Sequence, residues 1–188
     1  MDSRTLTIIG VVAAIAFILL IIKIYNSLIS KKNQVKNAWA QIEVQLKRRY
    51  DLIPNLMETV KGYMAHERAT LEAVVKARQI AMSGKGDAQS QANAENILSG
   101  TLKSLFAVAE NYPDLKANQN FLALQEELTT TENKISFARQ FYNDCVMTYN
   151  TEKEVFPNNI IVEVFRFENF SMFEIADNEE RQAPKVQF

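Results

Sequence analysis

The sequence predicts an all-α protein: one apolar helix long enough to cross a bilayer, followed by a few long amphipathic helices. Three observations predict it. From Thr5 to Ile22 the chain reads TLTIIGVVAAIAFILLII, without a charged residue. Beyond that stretch, apolar side chains recur at steps of three and four, the period of a helix with one buried face. Only 5 Gly and 4 Pro stand among 188 residues, which leaves little material for turns and favours few, long elements.

Residues 5–22, flanked by Arg4 and Lys23, would rise roughly 27 Å as a helix, close to the bilayer's hydrocarbon thickness of about 30 Å. A single transmembrane helix is expected there, in contact with the lipid bilayer and preceded by a short flank, residues 1–4. A secretory signal peptide needs a small-residue cleavage site after its apolar stretch, whereas Lys23, Ile24 and Tyr25 follow directly. No Cys lies near enough to be a lipid acceptor. Between the span and residue 49 stand Lys23, Lys31, Lys32, Lys36, Lys47, Arg48 and Arg49 against one acid, Glu43; in front of the span stand only Asp2 and Arg4. Basic residues beside a span are retained in the cytoplasm, so a cytoplasmic body is expected. The same stretch either forms a solvated helix face or touches anionic lipid heads, at about 1 kcal/mol per basic side chain.

Roughly 165 residues remain after the span, the size of one domain. A net charge of −1 argues against nucleic acid as a partner, which usually demands a strongly basic patch or stripe. The single Cys145 cannot form an intramolecular disulfide and fits a reducing compartment.

Starting at Val35, the stripe Trp39, Ile42, Leu46, Tyr50, Ile53, Leu56, Val60, Tyr63 or Met64, Leu71, Val74 and Met82 predicts one long helix out of the membrane. Pro54 is expected to kink it near Tyr50 or Asp51 without changing its phase. The helix should stop at Ser83-Gly84-Lys85-Gly86-Asp87. A second helix is expected from about Ala88 to Glu110, burying Ile97 or Leu98, Leu102, Leu105 or Phe106, and Ala109; Tyr112-Pro113-Asp114 closes it. The third carries Phe121, Leu124, Leu128, Thr131, Ile135, Ala138, Tyr142, Cys145 and Tyr149. Such stripes seat against other helices in a bundle or coiled coil. After Phe156-Pro157, the stretch holding Phe165, Phe167, Phe170 and Phe173 is apolar enough to need a cover: the end of the bundle, another subunit or the membrane surface. Asp177 to Phe188 reads as a loosely held tail.

Catalytic machinery is not evident. His66 is the only histidine, so no zinc-protease pair can form, and it reads as an exposed helix residue. Ser83-Gly84-Lys85-Gly86 lacks the phosphate-loop frame. Glu126, Glu127 and Glu132 have no Glu-x-x-His partner for a bundle metal site. Cys145 reads as a small buried hydrophobe. The expectation is therefore no catalytic residues, no metal ligands and no cofactor. Polar clusters remain on the first helix (Gln41, Gln45, Arg48, Arg49, Asp51) and on the third (Gln125, Glu126, Glu132, Asn133, Arg139). Some should pair across helices, for example Arg48 or Arg49 with Glu132, since a desolvated charge without a partner is expensive.

Asn37-Ala38-Trp39-Ala40-Gln41-Ile42, then Gln45 to Leu56, Glu58 to Tyr63 and His66-Glu67, closely resemble the LemA family. Tyr112 to Asn118, Phe121-Leu122, Leu124 to Leu128, Thr131-Glu132-Asn133 and Tyr142-Asn143 look like its second signature. The resemblance implies a bacterial inner-membrane protein whose soluble part, residues 23–155, is an antiparallel up-and-down four-helix bundle, with residues 156–188 as a Phe-rich segment and tail. It implies no settled activity. Members often read Phe-Gly-Phe after the Phe-Pro turn, where this chain has Phe165-Arg166-Phe167, which puts a Gly-requiring backbone geometry there in doubt.

The expected function is structural: a membrane-anchored scaffold that self-associates or docks membrane-protein partners. Membrane-surface remodelling or lipid binding is one alternative, and an accessory subunit of a membrane enzyme another.

Overall fold

A computed structural model of the chain describes residues 2–84 and 88–174. The apolar N-terminus and the first amphipathic stripe form a single helix, α1, Ser3–Lys61. It is followed by α2 (Arg68–Ser83), α3 (Ala88–Ala109), a single turn α4 (Pro113–Lys116), α5 (Gln119–Glu154) and α6 (Asn158–Phe165). The fold is all-helical, with no strand among the described residues. The chain divides into two units, both drawing on α1 and α5: residues 2–40 with 141–170, and residues 41–140 with 171–174.

In the first unit, the apolar opening of α1 stays exposed as far as Leu20: Ile9 is 56% exposed, Phe17 64% and Leu19 60%. A core helix would bury such side chains, so this exposure favours a span over a buried helix. Further along α1, Ile24 and Leu28 close a small cluster with Ile161 of α6, and Val35 and Ala38 are buried. Trp39 packs edge-on against Tyr142, ring centroids 5.3 Å apart. On α5 the buried series runs Tyr142, Val146, Tyr149, Lys153, so Val146 takes the inward place expected of Cys145, which is half-buried. Tyr149 Oη donates to Glu168 O (3.1 Å) and Asn150 Nδ2 to Phe170 O (3.1 Å), strapping the non-helical residues after α6 to α5. The Phe156-Pro157 bond is cis.

Arg166 ends α6 in the left-handed region, φ 53° and ψ 53°. Its N–H and that of Phe167 both reach Val162 O, the bond pattern of a helix closed by a left-handed residue that is usually Gly. The Gly-type geometry doubted from the sequence is therefore kept, with Arg carrying it.

The second unit's core joins Ile53, Leu56, Val60 and Met64 to Val74, Ala77 and Ala81 of α2, Leu98, Leu102 and Leu105 of α3, Leu115, and Phe121 and Leu128 of α5. The expected single helix to Ser83 is interrupted: residues 62–67 form a corner between α1 and α2. Gly62 is a weak helix former, and turning there lets Met64 and Val74 enter the same core as Val60. The apolar spacing stays in phase across the corner, which is why the pattern conceals it. Tyr112 Oη donating to Glu67 Oε1 (2.9 Å) and Asn118 Nδ2 donating to Tyr63 Oη (3.1 Å) fasten the corner. His66 is exposed as expected, but on this corner rather than on a helix. On α2 the inward residue is Ala81, while Met82 is 50% exposed.

Pro54 lies inside α1 and has no N–H to offer the carbonyl of Tyr50. Arg78 Nε of α2 donates to that freed carbonyl instead, at 2.8 Å. Asn118 Oδ1 accepts from Asn120 N (2.9 Å) and Phe121 N (3.1 Å), capping α5. Of the four phenylalanines expected to need a cover, Phe173 is 2% exposed, Phe167 and Phe170 are half-buried, and Phe165 stays 52% exposed. The predicted turn's Lys85, Gly86 and Asp87, and the tail Asp177 to Phe188, lie outside the described residues.

Candidate functional site

The register of α1 that buries Leu46 and Ile53 also turns Arg49 inward, where it is 3% exposed. Opposite, Gln91, Glu95 and Ser99 follow one another at steps of four on α3 and so share one face. Glu95 is 1% exposed. Arg49 Nη1 lies 3.3 Å from Glu95 Oε2 and 3.0 Å from Glu132 Oε2 of α5. Its Nη2 donates to Ser99 Oγ at 2.7 Å, and that hydroxyl donates onward to Glu132 Oε1 at 3.2 Å. Arg139 Nη2 stands 3.9 Å from Glu132 Oε1, and its guanidinium lies over the Phe173 ring, 5.5 Å from the centroid.

Tyr50 extends the network. Its hydroxyl donates to Glu95 Oε1, while Gln91 Nε2 donates to Glu95 Oε1 (2.9 Å) and to Ala81 O of α2 (3.1 Å). Four elements, α1, α2, α3 and α5, are thus tied by one set of hydrogen-bonded charges. Two guanidinium groups balance two carboxylates, which lowers the cost of burying them.

Burial pushes the Glu95 carboxyl above its ordinary range; the Tyr50 hydrogen bond, Arg49 and Gln91 oppose that, and Glu132 adds to it. Burial also pushes the Tyr50 phenol far up, with Glu95 adding to it, so Tyr50 remains a donor. These side chains lock one another's rotamers and fix helix register. Nothing in the set is an activated nucleophile. Cys145 in the first unit is held as a thiol, chiefly by burial and then by Asp144, with Lys31 opposing. No three His, Cys, Asp or Glu side chains converge on a metal-sized site among the described residues.

Where α1 runs into α2, an open groove of about 1010 Å³ has Met57, Leu71 and Val75 in its lining, with Lys61, Arg68 and Lys76 beside them.

The predicted Arg49–Glu132 pair is present, while Arg48 pairs instead with Glu127 at 2.5 Å. The sequence reading does not single out Glu95, Gln91 or Ser99. A signal for two of them exists: Gln91 and Glu95 extend the stripe Leu98, Leu102, Leu105, Ala109 backwards in steps of three and four.

The model of the LemA family matches residues 38–188, which include every residue of this network. The chain belongs to the LemA family. Among relatives, Protein LemA of Metamycoplasma hominis is 25% identical over 154 residues, covering 82% of this chain and 70% of its own. Magnetosome protein MamQ 2 of Paramagnetospirillum magneticum is 23% identical over 196 residues (91% and 72%). Magnetosome protein MamQ of Magnetospirillum gryphiswaldense is 20% identical over 190 residues (88% and 70%). As a LemA-family member with an exposed apolar helix at its start, the chain is a LemA-like membrane protein in which the ionic network lies within the family region.

Proposed function

We propose that this LemA-family chain is a single-pass scaffold: residues 5–22 anchor it in the inner membrane of a bacterial cell, and residues 23–155 form an up-and-down four-helix bundle on the cytoplasmic side. There it self-associates or docks membrane proteins. The observation that carries the reading is the fully exposed apolar start of α1, continuous with a helix whose later turns are buried. The basic residues after Ile22 support the cytoplasmic orientation. Their attraction to lipid is smaller than the sequence count suggests: Arg49 is buried, and Lys31, Lys47 and Arg48 lie within ion-pair distance of Glu152, Asp51 and Glu127. The groove beside Met57 and Val75 supports the docking half of the reading.

The reading is non-enzymatic. The structure's best-organised polar groups are spent on one another, and Cys145 is held as a thiol. Cross-linking of the tagged full-length protein in its native membrane tests the proposal. Multimers or a reproducible membrane-protein partner are expected; monomer alone at every expression level would contradict it. Protease added to spheroplasts should leave the body intact, and its digestion would reverse the orientation.

A further inference from the structure

Helix α6 is a short element with two apolar faces. Ile161 is buried against Ile24 and Leu28 of α1, and Phe165 packs on Tyr25 with ring centroids 4.9 Å apart. Its other apolar face stays bare: Ile160 is 54% exposed and Val164, four residues on, 71%. Asn159 and Glu163, also four apart, form a separate polar face and are both exposed. Just before the helix, Phe156 is 80% exposed.

The bare face does not stand alone. Together with Pro157, it lines an apolar hollow of about 290 Å³ whose other wall is Phe17, Leu20 and Ile21 of the span. The exposed apolar surface of the anchor therefore continues without a polar break onto α6. Lys23, directly after the span, and Arg166, directly after α6, are both exposed and basic, and Tyr25 stands where span residues give way to polar ones. Apolar face, polar face, aromatic and cationic border are the arrangement of a helix lying at the boundary of acyl chains and headgroups.

We infer that α6 is a second membrane element: it lies in the interface beside the last turns of the anchor, with Ile160, Val164 and Phe156 among the acyl chains and Asn159 and Glu163 towards the headgroups. The occupant of the bare face is lipid. The inference rests on the anchor reading and adds to it that the protein grips one leaflet at two places, which holds the first unit at a fixed depth.

The test uses the full chain with Cys145→Ala, reconstituted in nanodiscs and spin-labelled at one introduced cysteine: Ile160→Cys, Val164→Cys, Asn159→Cys, Glu163→Cys or, as control, Val12→Cys. Accessibility to oxygen and to a water-soluble nickel chelate is read for each. The expected result is an oxygen-to-nickel ratio at positions 160 and 164 approaching that at 12, and severalfold above that at 159 and 163. Nickel access at 160 and 164 equal to that at 159 and 163 would overturn the inference. So would protection of 160 and 164 from both reagents, which would mean that protein covers the face. A water-exposed label at 12 sinks the anchor and this inference together, whereas the other failures sink the inference alone. Should a labelled variant fail to fold, Val164→Trp reads the same depth: brominated acyl chains should quench its added emission, and unquenched emission counts against the inference.

Discussion

Arg49 shows how one side chain can hold several helices to a single register. At 3% exposure it satisfies Glu95, Glu132 and Ser99 at once. Arg49→Ala should cost about 3–5 kcal/mol in chemical denaturation, because Glu95 is left buried without its cation. Replacing the pair together, Arg49→Met with Glu95→Leu, should cost far less, since no stranded charge remains. Glu95 also gives the fold a signed pH dependence. Its carboxyl is raised in the folded chain above the ordinary 4.5, so the folded state binds that proton more tightly. Its contribution is full below the ordinary value and is lost as pH rises through the raised one. Glu95→Gln cannot ionise, so the melting temperature of the variant relative to the native chain should climb as pH rises past the ordinary carboxyl value of 4.5; a flat difference would contradict the assignment. At Arg166 the left-handed backbone strains a side chain that Gly would not carry. Arg166→Gly should therefore stabilise the fold by roughly 0.5–1 kcal/mol in the same measurement. Half of the network was legible beforehand: Arg49 and Glu132 belong to polar clusters on helices that otherwise pack through apolar stripes, and a desolvated charge there needs a partner. Glu95 and Gln91 were not: they continue the α3 stripe backwards from Leu98 in steps of three and four, but they stand among small residues, Ala92 and Ala94 among others, so the stripe fades before it reaches them.

At the scale of elements, the long helices follow from periodicity, and their ends follow from chemistry that periodicity does not carry. The predicted second helix, α3, ends at Ala109, short of Tyr112, and Pro113 opens the α4 turn; α5 begins where Asn118 supplies a cap. Asn118→Ala should lower stability by about 1 kcal/mol and speed hydrogen exchange at the amides of Asn120 and Phe121, while leaving exchange in the middle of α3 unchanged. The corner at residues 62–67 was invisible because Val60, Met64, Leu71 and Val74 keep helical phase on both sides of it. What bends the chain is Gly62 together with partners distant in sequence, Tyr112 and Asn118, which no local window contains. The left-handed close of α6 was hidden for the opposite reason: an Arg occupies a position whose geometry asks for Gly.

For the whole molecule, the decisive contrast is between side chains of α1 that touch protein and those that do not. Leu28, Ile42 and Leu56 are buried, whereas Ile9, Phe17 and Leu19 are bare along the same helix. Water would not tolerate that start, and lipid would. The LemA-family region begins at residue 38, so the family match covers the body from that residue on and the C-terminal segment, while the anchor stands on its own apolar length and exposure. The most direct check is an alkaline wash of membranes from cells producing the C-terminally tagged chain, followed by intact-mass measurement of the recovered protein. The chain should remain in the membrane pellet at its full 21.4 kDa plus the tag. Recovery in the supernatant, or of a chain lacking its apolar opening residues, would contradict membrane anchoring by residues 5–22.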